Sequence, residues 1–277
     1  MKASVIDTRQ LFSLVDAELI DLLRSLSPAD WQLPTLASKW TVKDVASHLL
    51  DGNIRAISMR PGHLLPAPSN ISTYRDLVDY LNDLNAQWVT AMKRVAPYVL
   101  LEWLESSGKA YCEHIAGLSL YEKAPFPVSW AGETESMNWF HIAREYTEKM
   151  HHQLQIRHAV NREEKLLEPK YFHPFISTLL LGIPHALRNI EAEDGTVIRI
   201  KISTNAGGTW QLRKEAGGWS FIEGTEMNAA SEIEIPPSIA WKVFTKGMDA
   251  GASLPFITYK GKADLCMAVL QMVAVMA

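Results

Sequence analysis

The sequence predicts two domains: an all-α unit of four main helices over residues 1–165, then a small α+β unit with an antiparallel sheet over residues 166–277. Three observations carry this. Up to about residue 165, apolar residues recur at spacings of three and four, the period of an amphipathic helix. After Pro169, stretches such as Thr196-Val197-Ile198-Arg199-Ile200-Lys201-Ile202 alternate as half-buried strands do, with Gly-Gly pairs between them. The length of 277 residues accommodates two units of ordinary size.

The first helix spans residues 7–26 on the spacing of Leu11, Leu14, Val15, Leu19, Leu22 and Leu26. Ser27-Pro28-Ala29-Asp30 forms a capped turn after it, and Thr41-Val42-Lys43-Asp44 is a second capping box. That box opens helix two, which buries Val42, Val45, Ala46 and Leu49 and carries His48 at the edge of the apolar stripe. His63 falls in the Pro-rich connection that follows. Helix three covers residues 73–96, a short helix covers 98–105, and residues 106–135 read as irregular because of their Gly and Pro content.

The fourth main helix holds four of the nine histidines in Phe140–Val160: His141, His151, His152 and His158. No Gly or Pro interrupts residues 133–168. Glu148 and His152 are four apart and leave one face a turn apart, a spacing at which a carboxylate and an imidazole can close on one divalent ion. The apolar stripe of Ile142, Ala143, Tyr146, Met150 and Leu154 lies nearly opposite, so periodicity alone assigns Glu148 and His152 to a solvated face. A metal site therefore requires a further ligand from elsewhere in the chain.

In the second unit, a helix at 174–187 precedes strands at 196–202, 209–213 and 219–222, which form an antiparallel meander. Further strands follow at 231–235 and 256–260, with helices at 238–245 and 263–277. The Lys246-Gly247 pair ends the first of those helices, with Gly247 as the expected C′ residue.

Composition narrows the function. The chain is 47% hydrophobic and 21% charged with net charge −4, and no basic cluster exists to neutralise a run of phosphates, which argues against nucleic acid. No apolar leader and no membrane span is indicated, so a cytoplasmic location is expected. Cys112 and Cys266 read as two thiols in a reducing compartment, not a disulfide. Phosphate-binding, dinucleotide-binding and serine-hydrolase motifs are absent.

The segments WTVKDVASHLL, EKMHHQLQIR and GGTWQLRKEAGGWSF, with IAWKVFTKGM and VLQMVAVMA, together resemble the mycothiol-dependent maleylpyruvate isomerase family. That family joins a DinB-like metal-binding four-helix bundle to a sterol-carrier-protein-like C-terminal domain. The resemblance implies a divalent metal, zinc by expectation, held by His48, Glu148 and His152. It also turns the Glu148/His152 face from a solvated surface into the lining of a cleft. His141, Glu145 and His151 are the alternative ligands. Gln155 stands where the family often has Asp and is a neutral group placed to orient a ligand or a bound cofactor.

The implied activity is that of a metal-dependent enzyme using a low-molecular-weight thiol, mycothiol- or bacillithiol-like. It would act as an isomerase or thiol S-transferase on a small electrophilic or dicarboxylate substrate, with Lys246 and Arg213 as candidates to neutralise substrate carboxylates. Two other readings stay open: a metal-dependent hydrolase, and a metal- and small-molecule-binding protein without turnover. The partners expected are small molecules only, with oligomeric state not specified by the sequence.

Overall fold

The computed structural model describes residues 4–59, 71–224 and 228–275, so His63 lies outside the described residues. The chain divides into two compact units. One comprises Asp7–Leu120 and Glu148–Glu163, the other Tyr121–Thr147 and Glu164–Met276 with the first six residues.

The first unit is helical. It contains α1 (Phe12–Arg24), α2 (Val42–Ser58), α3 (Tyr74–Met92), α4 (Pro97–Ala116) and the C-terminal half of α5 (Asn138–Ala159). The turn after α1 closes as its sequence demands. Asp30 Oδ2 accepts from the Ser27 backbone and hydroxyl, both at 2.8 Å. The Thr41/Asp44 capping box is complete at the start of α2, satisfying two of the amide donors that a helix N-terminus leaves unpaired. From α1 and α2, Leu19, Leu23, Val45, Leu49 and Leu50 meet Leu100 and Leu104 of α4 and Ile156 of α5 in one apolar core. Trp88 of α3 ties itself to α2 through Nε1–H donating to the Ser47 carbonyl at 2.8 Å.

Helix α4 corrects the expectation of a short helix followed by irregular chain at residue 106. It continues through Gly108 to Ala116. A glycine inside a helix costs about 1 kcal/mol relative to alanine, but here the missing side chain makes room. A Cβ on Gly108 would stand 2.5 Å from both carboxylate oxygens of Asp16 on α1. Close approach of α1 and α4 fixes this glycine, and local propensity does not reveal it.

Helix α5 ends at Ala159; two residues on, Asn161 adopts the left-handed φ of 55°, and Arg162 N–H donates to the Arg157 carbonyl at 2.8 Å. Residues 150–157 are buried on every side. The solvated polar face expected from periodicity is therefore corrected at this end of the helix.

The second unit holds α6 (Pro169–Leu180), α7 (Ile183–Ala186), β1 (Val197–Ile202), β2 (Gly208–Glu215), β3 (Gly218–Ile222), β4 (Ser231–Ile235), α8 (Pro237–Phe244), α9 (Ala250–Ser253), β5 (Thr258–Gly261) and α10 (Ala263–Leu270). The strand order is β3-β2-β1-β4-β5. Strands β1 to β3 form the expected antiparallel meander. The sheet as a whole is mixed, because β4 runs parallel to β1. The β2–β3 hairpin occupies one side of β1 and leaves the other for β4, and it supplies the crossover that a parallel pair requires.

Alternation sets the two faces of the sheet. Ile198, Ile200 and Ile202 of β1 and Ile233 and Ile235 of β4 are buried. Between them Arg199 pairs with Glu232, and Lys201 with Glu234 at 3.0 Å, in register across the parallel strands. Helix α10 ends at Leu270, earlier than expected; the following segment pairs through Ala274 N–H donating to the Phe244 carbonyl at 2.9 Å. Among the described residues no helix is long and apolar enough to cross a membrane.

Candidate metal centre

His48 is placed by α2, whose position is fixed by the capping box seven residues earlier and by the burial of Val45 and Leu49 on either side of it. Glu148 and His152 are placed by the second half of α5, one turn apart. The structure brings the three together: each offers one ligand atom, and these atoms lie within 4.8 Å of one another. His152 Nε2 is 3.5 Å from Glu148 Oε2. The His48 and His152 rings meet edge to face with centroids 4.5 Å apart. His152 is only 8% exposed, whereas the Glu148 side chain is 27% exposed, so the carboxylate is the open flank of the cluster.

Two features prepare the imidazoles. Burial, reinforced by repulsion from His152, holds His48 well below the usual histidine range despite the opposing pull of Glu148; the neutral ring is the form that ligates a metal. His48 Nδ1 is sealed from solvent and has no hydrogen-bond partner among the described protein groups, so packing alone orients this ring. On His152, Nδ1 lies 3.0 Å from Gln155 Oε1. With Nδ1–H donating to that carbonyl oxygen, Nε2 keeps its lone pair on the side of Glu148.

An aromatic wall completes the site. Trp40 sits 5.0 Å from the His48 ring and 6.3 Å from the His152 ring, centroid to centroid. Its backbone is pinned by Thr35, whose N–H and hydroxyl both donate to the Trp40 carbonyl at 3.1 and 2.9 Å. His151 packs against His152 with centroids 3.8 Å apart. Trp40 is not among the residues that the sequence singles out for the site; its signal is its place immediately before the Thr41 cap of the helix that carries His48.

The other candidates lie elsewhere. His141 Nδ1 and Glu145 Oε1 both contact Arg144 Nη2, at 2.9 and 2.6 Å. Arg213 is on β2, half open to solvent and ion-paired with Glu215 at 3.2 Å. Lys246 follows α8 and itself takes the left-handed φ of 61° expected of Gly247. Arg213 and Lys246 belong to the sheet-containing unit, and the three clustered ligands to the helical one.

Two imidazoles and one carboxylate, close, largely desolvated and with the imidazole orientation fixed, suit a divalent first-row ion and leave coordination positions over. The fold and this cluster thus define a helical bundle with a candidate two-histidine, one-carboxylate centre, in a chain that also carries an α+β unit. The chain belongs to the family of mycothiol maleylpyruvate isomerase N-terminal domains, matched over residues 12–157, just over half its length.

Two solved structures are similar over 93% of this chain and 93% of their own: the mycothiol-dependent maleylpyruvate isomerase, at a TM-score of 0.54, and a histidine-to-alanine mutant of that enzyme, at 0.53. Both are 12% identical in sequence, a likeness of fold that extends beyond the matched bundle. No curated protein matches the sequence.

Proposed function

We propose that this protein is a divalent-metal-dependent enzyme that uses a low-molecular-weight thiol to isomerise, or to transfer the thiol to, a small electrophilic substrate such as a cis-enedioate. The observation that carries this is the convergence of His48, Glu148 and His152 within 4.8 Å in the family's own bundle. When bound there, a zinc or similar ion favours thiolate over thiol and so supplies the nucleophile at neutral pH.

The chain's own residues have separable tasks. His48 enters the site neutral because it is buried. Gln155 fixes the tautomer of His152 through the 3.0 Å contact at Nδ1. Glu148, the most exposed of the three, contributes negative charge that offsets part of the charge of a dication. Trp40 covers the two imidazoles and keeps water from that side of the cluster. Arg213 and Lys246 remain the proposed cationic groups for substrate carboxylates.

The reading is tested by turnover of zinc-loaded protein on a cis-enedioate and on a simple electrophile, with and without added mycothiol, bacillithiol or glutathione. Conversion that requires both the ion and a thiol, and that disappears in His152→Ala, is expected. Conversion that proceeds equally without any thiol would overturn the thiol assignment in favour of hydrolysis by activated water. Metal uptake with no conversion would favour a binding protein.

A further inference from the structure

Glu148 and His152 point to one side of α5. The residues that follow each of them, Lys149 and Gln153, point about 100° further round the helix, into the interior shared with α1 and α4. Lys149 is engaged there: its ammonium donates to Asn53 Oδ1 and lies 4.3 Å from the Tyr111 ring centroid. Gln153 differs. It is 0% exposed, and neither its carbonyl oxygen nor its amide nitrogen has a hydrogen-bond partner among the described protein groups. Burying both ends of a carboxamide without partners forfeits all of their hydration, which folded proteins rarely tolerate.

The surroundings limit what can partner the amide. Gln153 lines a cavity of about 10 Å³ together with Asp16, Lys149, Tyr111 and Cys112, backed by the apolar Phe12, Val15 and Leu19. That volume admits the centre of one water-sized molecule. The lining discriminates between occupants. The Asp16 carboxylate repels an anion, the Lys149 ammonium repels a cation, and an apolar guest would leave the Gln153 amide unmatched.

A water molecule both donates and accepts, as this lining requires. A solvent-facing groove lies alongside. Asp16 and Cys112 line, in addition, a groove of about 470 Å³ formed by residues of α1 and α4, including Asp21, Arg24, Glu105 and Lys109.

We propose that this cavity is a binding site for a single ordered water molecule bridging the Gln153 carboxamide to the Asp16 carboxylate. The bridge adds a second polar link between α5, at the residue next to His152, and α1, which are already joined about one turn further along α5 by Arg157 donating to the Glu18 carbonyl at 2.9 Å. It explains why a glutamine is accommodated at a fully buried position where the helical period calls for an apolar residue. The site stands independently of any metal.

A crystal structure of the full chain at a resolution that shows ordered solvent is the direct test. A density peak within about 2.7–3.2 Å of a Gln153 amide atom and of an Asp16 oxygen is expected. A cavity without density, or a Gln153 amide turned onto a protein group, would overturn the proposal. Gln153→Met, close in shape but without polar atoms, gives a second readout. Loss of the water's partner should lower the melting midpoint by about 2–4 °C or more. A raised midpoint would mean that the amide was dry and unmatched, and that its removal relieved the protein.

Discussion

The Nδ1 of His152 and the Oε1 of Gln155 stand 3.0 Å apart on consecutive turns of α5, so the orientation of a candidate metal ligand is set by a neutral amide three residues later. A carboxylate in that place would polarise the imidazole more strongly. Groups in this position typically change metal affinity 10- to 100-fold when altered. Gln155→Asp should bind zinc several-fold more tightly and Gln155→Leu about tenfold or more weakly, measured by competition with a chromogenic chelator. Equal affinities in all three proteins would remove Gln155 from the site.

Asp16 provides a pH dependence. Burial raises its carboxyl from 3.8 to about 6, with Lys149 opposing and Glu105 adding to the shift. Because the folded value lies above the unfolded one, its contribution to stability is complete below about pH 4 and is lost as pH rises through about 6. The loss amounts to at most about 3 kcal/mol. Asp16→Asn should be more stable than wild type at pH 7 and indistinguishable from it below pH 4, as read by urea unfolding across that range.

Thr41 caps the helix that carries His48. Its side chain accepts from the Asp44 N–H at 3.3 Å, and the Asp44 carboxylate accepts from the Thr41 N–H at 3.0 Å. Thr41→Ala should cost about 1 kcal/mol, whereas Thr41→Ser should cost little, by the same unfolding measurement.

Gly261 closes β5 against Ser231 with a φ of 83°, and a Cβ there would lie 2.0 Å from the Ala230 carbonyl oxygen. Backbone atoms cannot yield as a side chain end can. Gly261→Ala should destabilise the protein by about 2 kcal/mol or more through strain and displacement of the edge strand. The contrasting substitution is Gly217→Ala, which meets nothing within 4 Å and should have a small effect.

The local code wrote much of this fold plainly. Thr41-x-x-Asp44, Ser27-x-x-Asp30 and the Val197–Ile202 alternation each carry their own cause, since a cap or a pleat is satisfied by neighbours in sequence. What escaped depends on residues distant in sequence. Gly108 reads as a helix breaker until Asp16 is placed beside it, and β4 reads as one more antiparallel strand until β2 is seen to occupy one side of β1. The candidate site shows the same division. Glu148 and His152 were visible from their spacing, but periodicity placed them in solvent. His48 joined them only through the family resemblance, and Trp40 and Gln153 came from the packing of helices around α5.

The measurement closest to the central claim is elemental analysis of the purified protein beside His48→Ala and His152→Ala. About one equivalent of zinc or another divalent ion in the wild type, lost from both variants while their helical content is retained, is the result expected if residues of α2 and α5 share one ion. A wild type that carries no metal and takes up no added zinc would contradict the metal centre, and the thiol-dependent chemistry with it.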